Sequence, residues 1–132
     1  LKTADDAKAI VEQSGATHIK VGVFDVDGIL RGKYMSRAKF LSALESGYGF
    51  CDVVLGWDCQ DQLYDNVKFT GWHTGYPDAP VRILPETCRA LPFENDGLFF
   101  LSEFAPPADQ ICPRALLRRV LDRAKSMGFE AY

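Results

Sequence analysis

"VFDVDGILRGK", residues 23–33, decides how this chain is read. Leading into it, Ile19, Val21 and Val23 alternate with His18, Lys20 and Gly22, a period of two that predicts a strand with one buried face. The strand runs into Asp25, Val26, Asp27 and Gly28. Asp at the first position and Gly at the fourth suit a type I turn, after which residues 29–35 can pair back as a second strand. The same two acids admit a reactive reading, with Asp25 attacking phosphorus and Asp27 as its acid–base partner. The surrounding sequence has to separate a nucleophile loop from the corner of a hairpin.

Working outward, Thr3 and Asp6 form a capping-box pattern ahead of Ala4, Ala7, Ile10 and Val11, so a short helix is expected to about Gln13, within a first unit of residues 1–15. After the hairpin, Ser36 reads as an N-cap for a helix carrying Phe40, Leu41 and Leu44 on one face and ended by Gly47 and Gly49. Residues 47–80 are dense in Gly, Asp, Tyr and Trp, with "DVVLGW" (52–57) and "VKFTGW" (67–72) as possible short strands. A loop of this length is uncommon unless it is functional. Two β-rich runs follow, "VRIL" (81–84) and "LFFLSEF" (98–104), separated by Pro85, Pro92 and the turn "ENDG" (94–97). The linker "APPADQI" (105–111) leads to Pro113 at a first helical position, with Leu117, Val120, Leu121 and Ala124 on one stripe and Gly128 past the end.

Composition limits the function classes. The chain has 132 residues, 47% hydrophobic and 25% charged, which suits one globular domain with a real core. A formal net charge of −3 argues against nucleic acid as the main partner, and the cluster Arg114, Arg118, Arg119 and Arg123, interrupted by Asp122, reads as a solvated helix face. Cys51, Cys59, Cys88 and Cys112 form no C-x-x-C pair and read as reduced thiols of a cytoplasmic protein. No apolar run reaches the ~18 residues of a membrane span. The chain begins at Leu1 and stops at Tyr132, just beyond a helix, which reads as part of something longer.

A haloacid-dehalogenase-like phosphatase built on Asp25 and Asp27 would need strands alternating with crossover helices, and distal carboxylates at strand ends to hold magnesium. From Gly47 to Asp109 no helix is expected, and "ILRGKYMS" (29–36) keeps strand character straight through the turn. The missing rhythm favours the hairpin.

Taken in order, three stretches resemble the N-terminal β-grasp domain of the glutamine synthetase family. "VFDVDGILRGK" is similar to that family's strand, Asp-x-x-Gly turn and basic return strand, here Asp25, Gly28, Arg31, Gly32 and Lys33. "TGYPDAPVRILPE" (74–86) is similar to its Pro-Asp loop entering a strand, here Pro77, Asp78 and Pro85. "CPRALLRRVLDRAKSMGF" (112–129) is similar to its Asp-Pro-Arg helix start, with Cys112 where the family tends to have Asp.

The resemblance implies an ATP-dependent ligase that joins glutamate to ammonia or another amine through γ-glutamyl phosphate, with ATP and Mg or Mn held in a large C-terminal catalytic domain. It also implies a ring of identical subunits, in which this domain helps close the neighbouring subunit's site. By itself the chain would then hold no catalytic residue, metal or cofactor and would be inactive. The family's amine-holding loop matches "GFCDVVLGWD" (49–58), which makes Asp52, and secondarily Asp58, the expected cross-subunit substrate-binding residues. Here Cys51 precedes Asp52, and Val53 and Val54 replace small polar residues, so the amine could be larger than ammonia, with aromatic faces turned to its cation. Trp57 and Trp72 equally suit packing or an interface, and His73 a solvated loop. A non-catalytic assembly module descended from the same domain remains a further alternative.

The expected fold is α+β: a twisted, mostly antiparallel β-grasp-like sheet of about four to six strands packed on a helix, spanning residues 16–105 with short flanking helices. Residues 106–132 would lead into the absent catalytic domain. Ile19, Val21, Val23, Leu30, Phe40, Leu41, Leu44, Val81, Ile83, Phe99 and Leu101 are the expected core.

Overall fold

Thr3 caps the first helix as expected: its hydroxyl accepts from the Asp6 N–H and the Asp6 carboxylate accepts from the Thr3 N–H, a complete capping box for α1 (Ala4–Ser14). The computed structural model describes residues 3–95 and 97–132; Leu1, Lys2 and Asp96, one residue of the turn expected at 94–97, lie outside the described residues. β1 (His18–Phe24) and β2 (Leu30–Ser36) form the hairpin, in a register that sets Val23 opposite Arg31 and Gly22 opposite Gly32. The turn between them closes with the Gly28 N–H donating to the Asp25 carbonyl at 3.1 Å, and Gly28 takes the positive φ of 79° that a side chain would resist.

Ser36 caps α2 (Arg37–Ser46) through the Lys39 N–H. Gly47 ends that helix at φ 72°, where a Cβ would lie 2.6 Å from the Val81 carbonyl, so the chain can enter β3 (Tyr48–Cys51) only through glycine. A 3-10 turn (Asp52–Leu55) and a long loop lead to β4 (Asp78–Ile83), then β5 (Arg89–Leu91), β6 (Gly97–Phe104) and α3 (Pro113–Ser126).

The strand order is β2-β1-β6-β4-β3, with β5 also paired to β6. β1 and β6 run parallel and the other pairs antiparallel, so the α+β, mostly antiparallel expectation holds. The sheet curls until its two edge strands meet: Lys33 Nζ on β2 donates to the Gly49 carbonyl on β3 at 2.9 Å and lies over the Tyr48 and Phe50 rings.

One core cluster packs Ile19, Val21, Met35, Ile83, Leu98 and Phe100 against Ala7 and Val11 of α1 and Phe40 and Ala43 of α2. The second gathers Val23, Val54, Leu55, Ala79, Val81 and Phe104 with Ala108, Cys112 and Ala115. The expectation for β6 is one residue out of register: Leu98 and Phe100 are buried, whereas Phe99 and Leu101 are half-buried on the other side. Residues 98–101 are apolar at both parities, so alternation could not choose the face there. Leu30 is 45% exposed, and Leu41 and Leu44 are half-buried because α2 turns Phe40 and Ala43 inward. The strand expected at 52–57 is the 3-10 turn, and none forms at 67–72.

The α3 stripe is not buried in this chain: Leu117, Val120 and Leu121 are exposed and Ala124 is half-buried. Its basic face is not simply solvated, either. Glu103 on β6, 2% exposed, accepts from Arg118 Nη1 at 2.6 Å and Arg82 Nε at 2.7 Å, and Arg114 Nε approaches to 3.5 Å. A buried carboxylate without these partners would be strongly penalised, so this cluster anchors α3 to the sheet. Cys112 caps α3 without a side-chain hydrogen bond, and all four cysteines are free thiols.

Candidate amine-facing site

The turn acids are the first candidates, and the fold gives them structural work. Asp25 is fully buried; its Oδ1 accepts from the Asp27 and Ile29 N–H groups at 3.0 and 2.8 Å, and its Oδ2 from Arg31 Nε at 2.9 Å. Fully buried and held by these three hydrogen bonds, the Asp25 carboxylate presents no open face to a phosphate. Asp27 Oδ2 accepts from the Cys59 N–H at 2.8 Å, joining the hairpin to the long loop.

Arg31 makes the same junction more strongly. Besides Asp25, it pairs with Asp61 at 2.6 Å through Nη1, donates to the Asp58 carbonyl at 3.4 Å and lies 4.9 Å from the centre of the Trp57 ring. The planar guanidinium suits a site where several acceptors and an aromatic face must be met at once. Asp58 is a loop-shaping residue: its Oδ1 accepts from the Gln60 and Gln62 N–H groups at 2.8 and 3.0 Å, within a turn closed by the Trp57–Leu63 bridge.

Asp52 is placed differently. It opens the 3-10 turn after β3, its N–H donates to the Pro77 carbonyl at 3.0 Å, and its side chain is only 3% exposed. Thr70, 1% exposed, donates its hydroxyl to Asp52 Oδ1 at 2.5 Å. Burial pushes the Asp52 carboxyl above its usual range, the Thr70 bond opposes that rise, and the nearby Asp78 carboxylate adds to it. Among the described residues no ion pair reaches Asp52 or Asp78. The two acids line a cleft of about 220 Å³ together with Phe69, Thr74, Pro77 and Pro80. A buried anion with no resident cation, beside a second acid and apolar walls, is chemically complementary to a small ammonium ion.

The two expected substrate residues are therefore not one site: Asp52 faces the cleft with Asp78, and Asp58 is committed to its own turn. Trp57 sits under Arg31 with its Nε1 buried and unpartnered, whereas Trp72 is 81% exposed and meets Tyr76 edge-on. His73 is exposed, with Nε2 3.0 Å from the Lys68 carbonyl. Sequence reasoning missed Thr70, which lies eighteen positions from Asp52 in a stretch read as a strand. It also quoted Asp78 only as part of a motif. Among the described residues no group of three or more His, Cys, Asp or Glu side chains could hold a metal ion, and no helix is long and apolar enough to cross a membrane.

No family model matches the chain. Comparison with characterised proteins nevertheless finds similarity to glutamine-synthetase-type ligases. The chain is 43% identical over 123 residues to the type-1 glutamine synthetase 2 of Dictyostelium discoideum, a match covering 91% of this chain and 24% of that protein. It is 31% identical over 129 residues to a glutamate–isopropylamine ligase of a Pseudomonas species, covering 92% of this chain and 28% of the other. Among solved structures, a GmaS–ADP complex superposes with a TM-score of 0.67 at 18% identity, over 92% of this chain and 26% of that one. The glutamine synthetase of Plasmodium falciparum gives 0.66 at 14% identity, over 97% and 24%. The structural likenesses establish the fold, and the sequence matches bear out the resemblance to the glutamine synthetase family across nearly the whole chain. The chain spans about a quarter of the length of these relatives.

Proposed function

We propose that this chain is the amine-site domain of an ATP-dependent carboxylate–amine ligase of the glutamine synthetase type, which joins glutamate to ammonia or a small organic amine through γ-glutamyl phosphate. In this reading residues 16–105 form the β-grasp unit, and residues 106–132 connect it to a C-terminal catalytic domain. The unit helps close the site of a neighbouring identical subunit in a cytoplasmic ring. The exposed apolar stripe of α3 supports that reading, since Leu117, Val120 and Leu121 form a surface a further domain would cover.

The observation that carries the proposal is the buried Asp52 carboxylate, which no cationic side chain among the described residues pairs with. Asp52 would receive the substrate as its ammonium form, orient it and take up its proton; the free amine then attacks the acyl carbon of the acyl phosphate and releases inorganic phosphate. Bound ATP and its divalent ion would supply activation of the glutamate carboxylate. The described residues of this chain offer no ligand set that fits such an ion, so no step of that activation is assigned to them.

The test is an assay of the complete protein with glutamate, ATP and a series of amines, comparing wild type with Asp52→Asn. The substitution keeps the shape and removes the charge. A raised KM for the amine, with KM for glutamate and ATP little changed, is the expected result; unchanged amine kinetics would reject the assignment.

A further inference from the structure

We infer that Thr70 is a positioning residue for the amine site, holding the Asp52 carboxylate in place through Oδ1 and leaving its other oxygen for the incoming ammonium. The inference rests on the proposed role of Asp52 and adds a residue that no motif of the chain points to.

The geometry is specific. Thr70 and Asp52 are 1% and 3% exposed, lie on segments that meet only through folding, and are joined at 2.5 Å. Near Thr70 the loop is held rigid: the Gly71 N–H donates to Thr74 Oγ1 at 3.1 Å, the Thr74 hydroxyl returns to the Gly71 carbonyl at 3.0 Å, and the Gly75 N–H reaches the same carbonyl at 3.1 Å. On the other side, a Cβ added to Gly56 would meet the Thr70 methyl at 3.0 Å, so the side chain is wedged against the turn that carries Asp52. The hydroxyl has a single proton, and it donates it to the carboxylate.

A neutral donor is what this position requires. A Lys or Arg here would neutralise Asp52 permanently and compete with the substrate cation, whereas a hydroxyl favours the charged carboxylate without consuming its charge. Among the described residues Asp78 on β4 is the one charged group acting on Asp52, and its negative charge works in the opposite direction. Thr70 therefore opposes, without cancelling, the rise that burial and Asp78 impose, and favours the ionised form of the Asp52 carboxylate.

The experiment has two arms. In this chain, the Asp52 carboxyl is titrated by NMR in the wild type, Thr70→Val and Thr70→Ser; the midpoint is expected to rise in the valine variant and return in the serine variant. If the valine variant does not fold, Thr70→Ala takes its place. In the complete ligase, Thr70→Val is expected to raise the amine KM by about 10-fold near neutral pH, the usual scale for one charge-assisted hydrogen bond, with the pH dependence moved to higher pH and the KM for glutamate unchanged. Thr70→Ser should restore both. An unmoved titration, or an unmoved amine KM where Asp52→Asn does raise it, overturns the role of Thr70 alone. An amine KM indifferent to Asp52→Asn overturns the amine site itself and Thr70's role with it.

Discussion

Lys33 and Gly49 lie on strands at opposite ends of the sheet order, yet the lysine Nζ donates to the glycine carbonyl at 2.9 Å. The same ammonium lies 5.1 Å from the centre of the Tyr48 ring and 5.2 Å from that of Phe50. Two positions earlier on β2, Arg31 crosses the same gap to the Trp57–Asp61 segment. The basic return strand is thus the clasp of a curled sheet, and it holds the segments that carry Asp52 and Asp58.

Lys33→Met keeps the aliphatic stem and removes both the hydrogen bond and the cation–aromatic contacts. It is expected to lower stability by about 1–2 kcal/mol in urea unfolding. Hydrogen exchange should accelerate most at β3, because the rest of β2 remains paired with β1.

Arg31→Lys should behave almost as poorly as Arg31→Met. A single ammonium cannot meet the Asp25 carboxylate, the Asp61 carboxylate and the Trp57 face together. The expected signature is a changed Trp57 fluorescence in a Trp72→Phe background, with faster exchange across residues 57–63 and α1 unaffected. Equal fluorescence for the arginine and lysine proteins would show that the stacked geometry does not hold the loop.

Glu103→Gln tests the anchor of α3. Burial alone would raise the Glu103 carboxyl, but Arg118 and Arg82 outweigh it and hold the group below the ordinary glutamate range. The stabilisation is therefore present above the unfolded pKa of about 4.3 and is lost as pH falls through the folded value. Glu103→Gln should cost about 1–2 kcal/mol at neutral pH, because it weakens charge-assisted hydrogen bonds while the part-exposed arginines left behind are screened by water, and the difference from wild type should shrink in acid.

Asp52→Asn should stabilise the chain while impairing the proposed activity. Burial raises the Asp52 carboxyl, so the charged form is a liability in the folded state that appears as pH rises through the folded value. Thermal unfolding at pH 7 should give a higher Tm for the asparagine variant, with the gain disappearing below about pH 4, where both folded and unfolded wild type are protonated at this position. An unchanged or lower Tm at pH 7 would mean that Asp52 is satisfied within the chain and does not await a cation.

Much of this arrangement was legible in the sequence where a local rule acts alone. The Thr3 capping box, the Asp25–Gly28 turn, the Ser36 cap and Pro113 at the start of α3 each involve neighbours a few residues apart, and each is found. What escaped depends on distant partners. The face of β6 could not be chosen while 98–101 were apolar at both parities, and the neighbours that chose it are β1 and α2. The Glu103 cluster draws on β4, β6 and α3 together, and Thr70 gains meaning only once its loop folds against Asp52. Asp52 itself was found through a resemblance; its burial and its lack of a cation were visible only in the fold.

Asp52 is the residue proposed to receive the amine. The most direct test is γ-glutamyl amide formation by the complete protein over a range of ammonium and isopropylamine concentrations, for wild type and Asp52→Asn side by side. The expected result is an amine KM raised about 10-fold or more in the variant, with the KM for glutamate unmoved. Identical amine saturation curves for the two proteins would contradict it.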